Sequence, residues 1–130
     1  SESLEAWRFI DNLRALYAGG RISMTKRLGS TEIGDERTHV GWFDEDGYYL
    51  IPELAIAAVE ALAGRAMLSG ISKRTLYEQL GDLGFVAKTG PTTTTRKVRV
   101  GMNRKIRRVL HLKRAALDGA SDTDDDEQLF

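Results

Sequence analysis

Apolar positions along this chain change rhythm several times, and the changes lay out its elements in order. Leu4, Trp7, Phe9, Ile10, Leu13, Leu16 and Tyr17 recur at helical steps after Ser3, a good N-cap, and Gly19 and Gly20 end the pattern. This predicts a first helix. Arg21 to Met24 reads as a short extended piece, and the polar, Gly-containing stretch Thr25 to Arg37 as an exposed loop. Val40 to Phe43 and Tyr48 to Ile51 then flank Asp44, Glu45, Asp46 and Gly47. An Asp-Gly step between apolar runs predicts an antiparallel hairpin. Pro52 suits the first position of a second helix, whose apolar side is Leu54, Ile56, Ala57, Val59, Leu62 and Ala66, running to about Met67.

The stretch Ile71 to Phe85, ISKRTLYEQLGDLGF, predicts a third helix entered by a tight turn. Gly70 permits that turn, Ser72 is the N-cap, and Lys73, Arg74 and Thr75 fill the first helical turn. Leu76, Leu80 and Leu83 share one side, and Gly84 stops the helix as its C′ residue. Beyond it Phe85 to Lys88 extends, Thr89 to Thr95 loops, and Arg96 to Val100 alternates charged and β-branched residues. A turn at Gly101 to Asn103 leads into a last strand, roughly Lys105 to Leu112. Helix, turn, helix and then a strand meander with a protruding loop is the order of an α+β winged helix-turn-helix domain. That domain is expected over residues 1–117, with Gly90, Pro91 and the threonines as the protruding loop. Residues 118–130 have almost nothing to bury and are expected to be a disordered acidic tail.

Charge sharpens this picture, although the net formal charge is zero. Ser1 to Ser72 holds seven Lys/Arg against eleven Asp/Glu, −4; Lys73 to Arg114 holds twelve against two, +10; Ala115 to Phe130 holds none against six, −6. The basic segment includes Lys73, Arg74, Lys88, Arg96, Lys97, Arg99, Arg104, Lys105, Arg107 and Arg108. Cations that neutralise phosphates gain affinity through counterion release, without regard to base sequence. Lys73, Arg74, Thr75 and Tyr77 stand where a recognition helix meets nucleic acid, and a helix N-terminus also favours phosphate. These residues together are the candidate nucleic-acid-binding set.

Other chemistries have little to build on. No cysteine is present, so there is no disulfide framework, thiolate nucleophile or zinc finger, and a reducing, cytoplasmic setting fits. No apolar run approaches the ~18 residues needed to span a membrane. His39 and His111 are far apart, His111 reads as structural in its strand, and Asp44 to Asp46 read as hairpin-turn residues rather than an acid/base pair. Asp122, Asp124 and Asp126 match three calcium-loop spacings, but Glu127 stands where that loop requires Gly. No phosphate-cradling Gly motif occurs, so neither a cofactor nor enzymatic activity is expected of this stretch. The chain opens with Ser1 rather than Met, as a piece of a longer protein would.

Taken from Trp7 to Leu112, the sequence resembles winged-helix modules at the C-terminal ends of primase-helicases and replication ATPases from phages, plasmids and integrated elements. The resemblance rests on GWFDEDGYYLIP ahead of a helix, ISKRTLYEQLGDLGF, and a basic strand region ending in RRVLHL. It implies a DNA-binding appendage of a larger replication enzyme. The acidic first half and the negative tail depart from that pattern. A protein-docking winged helix and a transcription regulator are the alternatives. The terminus resembles the acidic tips by which single-strand-binding proteins recruit replication enzymes, and Gln128, Leu129 and Phe130 resemble a sliding-clamp peptide. The tail also reads as a plain solubilising segment, or as a competitor that folds over the basic segment.

Overall fold

The computed structural model describes residues 4–29, 37–68, 70–87 and 95–118. Its architecture is α+β: α1 (Leu4–Ala18), β1 (Ser23–Lys26), β2 (His39–Asp44), β3 (Gly47–Leu50), α2 (Pro52–Ala63), a 3-10 turn (Arg65–Leu68), α3 (Lys73–Asp82), β4 (Thr95–Val100) and β5 (Lys105–Leu112). A last helical turn covers 114–118. The five strands form one mixed sheet in the order β1-β2-β3-β5-β4, with β1 parallel to β2 and the other pairs antiparallel.

Local chemistry explains most boundaries. The Ser72 hydroxyl accepts from the Thr75 amide at 3.1 Å and starts α3. Gly84, at φ 84°, lets the chain turn out of α3 where a side chain would be strained. The Asp44 carboxylate accepts from the Asp46 amide at 2.8 Å, a turn contact that shapes the β2–β3 hairpin. Helix α2 ends at Ala63, earlier than its apolar spacing predicts, because Gly64 adopts φ 92° and the chain tightens into the 3-10 turn. Of the strand expected over Phe85 to Lys88, Val86 forms an isolated bridge to Leu112, and Lys88 lies outside the described residues.

The main core lies between the helices and one face of the sheet. Phe9, Ile10 and Leu13 of α1, Val59 of α2, and Leu76 and Leu80 of α3 pack with Leu50, Leu110 and Leu112 of the sheet. Cross-strand register puts Leu50 opposite Leu110 and Tyr48 opposite Leu112, so these share the helix-facing side. The opposite face is also apolar. Trp42, Tyr49, Val100 and Val109 form a second cluster there.

That second face is buried because the sheet curls until its edges meet. The Gly101 amide, just past β4, donates to the Arg27 carbonyl, just past β1, at 2.7 Å, and the Arg27 guanidinium donates to the Arg99 carbonyl at 3.0 Å. Trp42 retains 7% exposure and Tyr49 4%, packed with Val100, Val109, Ile51 and Val98. The curl closes an incomplete barrel over a small aromatic core.

The C-terminal turn is fastened to this body. Arg14 of α1 donates to the carbonyls of Ala116 and Ala115, and Tyr48 donates to the Asp118 carboxylate. Asp118, the first residue of the expected tail, therefore packs with the domain. The remainder of that tail, including Gln128, Leu129 and Phe130, lies outside the described residues.

Candidate nucleic-acid interface

The β4–β5 hairpin gathers seven cations: Arg96, Lys97 and Arg99 on β4, Arg104 in the turn, and Lys105, Arg107 and Arg108 on β5. No acid lies between Thr95 and Leu112. Strand alternation divides these cations between two faces. Arg96, Lys105 and Arg107 share the face of Val109 and His111, while Lys97, Arg99 and Arg108 share the other. Register places Lys97 directly opposite Arg108. Like charges in that relationship repel.

Five cations elsewhere in the domain lie beside carboxylates. Arg14 pairs with Asp11, Arg27 with Asp44, Lys73 with Glu53, Arg74 with Glu78 and Arg114 with Asp118. Among the described residues, none of the seven hairpin cations has an ion-pair partner, nor does Lys113. Among the described residues the hairpin is thus an arm of cations without ion-pair partners.

Its base is held by a stack of aromatic and charged groups. His111 lies against Tyr49 with ring centroids 4.5 Å apart and planes at 22°, and Arg27 covers Tyr49 at 5.6 Å. The His111 Nε2 donates to the Asp46 carbonyl at 3.1 Å, while its Nδ1 accepts from Arg96 at 3.3 Å. A carbonyl only accepts and a guanidinium only donates, which fixes the ring tautomer with its hydrogen on Nε2. Arg27 reaches the Asp44 carboxylate at 2.8 Å, and the Tyr49 hydroxyl donates to the same group at 3.0 Å. Burial alone would raise Asp44, but Arg27, the Asp46 amide and Tyr49 hold it below the ordinary carboxylate range. Tyr49 is pushed up to about 12 by burial and by the Asp44 carboxylate.

Between the Arg27 turn and β4 runs an open groove lined by Arg27, Arg96, Lys97, Arg99 and Arg104, with Tyr49, His111 and the acid Asp46 also on its walls. Arg27 is the groove cation that sequence reading missed, and Asp46, Tyr49 and His111 of the groove also lay outside the candidate set. Arg27 lies in a polar stretch, and no local signal ties it to a strand about seventy residues on.

Helix α3 presents its expected residues differently. Lys73 lies 3.6 Å from Glu53 of α2, and Arg74 lies 3.4 Å from Glu78, both exposed pairs. Thr75 is occupied with the cap, its hydroxyl accepting from Ser72 at 3.0 Å. Tyr77 is half-buried against the main core, its hydroxyl pushed up to about 12 by burial and then by Glu53. The chain leaving α3 joins the sheet at the end of β5 opposite its turn, through Ala87 N to the His111 carbonyl and Lys113 N to the Phe85 carbonyl. The hairpin turn is about 23 Å farther along β5 at strand rise. Lys88 and the loop of residues 89–94 lie outside the described residues.

No helix among the described residues is long and apolar enough to cross a membrane. No family model matches this chain, and no match emerges among curated proteins or solved structures.

Proposed function

We propose that this domain binds nucleic acid, DNA foremost, as a winged helix-turn-helix in which α2, the turn and α3 form the helix-turn-helix and β4–β5 the wing. The observation that carries the reading is the β4–β5 arm, whose cations lack acidic partners among the described residues and include the opposed pair Lys97 and Arg108. A pairing that costs the free protein stability is expected where a polyanion relieves it. The wing grips phosphate foremost, while Lys73, Arg74, Thr75 and Tyr77 on α3 take a secondary part because carboxylates or the core engage most of them.

In this reading the chain is a non-enzymatic appendage that positions DNA for a larger replication primase or helicase of a mobile element. The order of its elements and the resemblance of its motifs support that parentage. Fluorescence anisotropy with random-sequence duplex and single-stranded DNA across a salt series tests the binding. The logarithm of affinity should fall linearly with the logarithm of salt, by about 0.9 per duplex phosphate neutralised. Binding that is absent at low salt, or that ignores salt, would remove the proposal.

A further inference from the structure

The turn joining β4 to β5 carries the most exposed large apolar side chain of the described residues. Met102 is 70% exposed, and Ile106, just inside β5, is 52% exposed. Both stand among cations. The turn is also braced at three points: Gly101 N donates to the Arg27 carbonyl at 2.7 Å, Arg104 N donates to the Gly101 carbonyl at 3.1 Å, and the Arg99 guanidinium donates to the Arg104 carbonyl at 3.1 Å. Arg104 itself adopts φ 55°, the one non-glycine among the described residues with a left-handed backbone. A residue held there stores strain that a plain solvent turn would avoid by using Gly or Asn.

We propose that this turn is a wedge, with Met102 inserting between stacked bases of a duplex while the hairpin cations hold the flanking phosphates. The proposal rests on the nucleic-acid reading above and adds what the tip of the arm does. Apolar wedges, Met included, unstack base steps in duplexes that wrap a basic surface. A thioether chain is flexible and polarisable enough to slide between bases. Bracing the backbone removes ordering cost that a loose loop would meet on insertion. Asn103, beside Met102 in the turn, supplies an amide able to bond base edges once the step opens.

The test titrates the protein into short duplexes carrying 2-aminopurine at successive positions, reading fluorescence and anisotropy together. With the wild-type chain, fluorescence should rise roughly two-fold or more at one or several positions, as a base that loses stacking does. Met102→Ala should abolish the rise while changing affinity by no more than about three-fold, since phosphate contacts dominate binding. Met102→Leu should keep it. Met102 is exposed, so neither variant leaves a cavity. Salt-dependent binding with no rise at any position, or a rise that survives Met102→Ala, overturns the wedge and leaves the nucleic-acid reading standing. Binding to single strands alone removes the wedge, and absence of binding to duplex and single-stranded DNA alike at every salt removes both.

Discussion

Lys97 on β4 and Arg108 on β5 stand directly opposite each other in the register of the hairpin. Cross-strand neighbours of like charge weaken a sheet by roughly a few tenths of a kcal/mol or more, and salt screens the effect. Neither side chain has an acidic partner among the described residues. This relationship yields the most direct prediction. Lys97→Ser should raise the midpoint of thermal unfolding at low salt and lower duplex affinity in the same buffer. Calorimetry and anisotropy on one preparation check the opposite signs; a variant that loses both stability and affinity would mean that the pair is not held apart for a ligand.

Glu53 competes with phosphate for Lys73, which it meets at 3.6 Å. Glu53→Gln should therefore tighten DNA binding modestly and steepen the salt dependence by up to about one phosphate. Replacing Lys73 and Arg74 with Ala should flatten that slope, but less than replacing Arg107 and Arg108. Equal slopes in all variants would place α3 and the hairpin alike away from DNA.

Leu80 of α3 has no exposed surface and packs in the main core. Leu80→Ala should cost about 2–5 kcal/mol, the range for emptying a buried leucine site. Denaturant unfolding reads this directly. A loss below about 1 kcal/mol would mean that α3 is not docked as described.

Acid should destabilise the domain in two stages. Burial holds the His39 ring below its ordinary 6.5, with the Gly41 backbone opposing only in part. The unfolded chain then takes up a proton more readily than the native one, so His39's contribution is complete above pH 6.5 and is lost as pH falls through the lower native value. Asp44, also held low, contributes fully above its ordinary 3.8 and loses that contribution as pH falls through its own native value. Stability measured from pH 8 to pH 2 should decline first below about 6.5 and again below about 4. Asp44→Asn should remove much of the second decline, and His39→Gln the first.

Much of the fold was legible because its signals are local. Ser72 capping α3, the Asp44 turn, Pro52 at the start of α2 and the apolar spacing of α1 each act within a few residues, and each sits where the sequence put it. The end of α2 was misjudged because apolar spacing ran through Gly64, and periodicity does not register a backbone that leaves the helix. The basic arm was legible too, since seven cations without an acid need no partner to be recognised.

The sequence by itself determined most of the elements, their order and the concentration of positive charge, because helix periodicity, capping and turn chemistry are properties of neighbouring residues. It read Thr25 and Lys26 of β1 as loop and did not foresee the helical turn at 114–118. Tertiary structure alone decided that β1 runs parallel to β2, that β3 pairs with β5, and that Arg27 closes the sheet against Arg99 and Gly101. Those choices depend on residues far apart in the chain meeting at one register. Folding likewise decided that Lys97 would face Arg108 while Lys73 would find Glu53 on another helix; the Arg74–Glu78 pair, four residues apart on α3, is local. A charge reveals its sign in sequence, but the partner that compensates it, or fails to, is set by the packing.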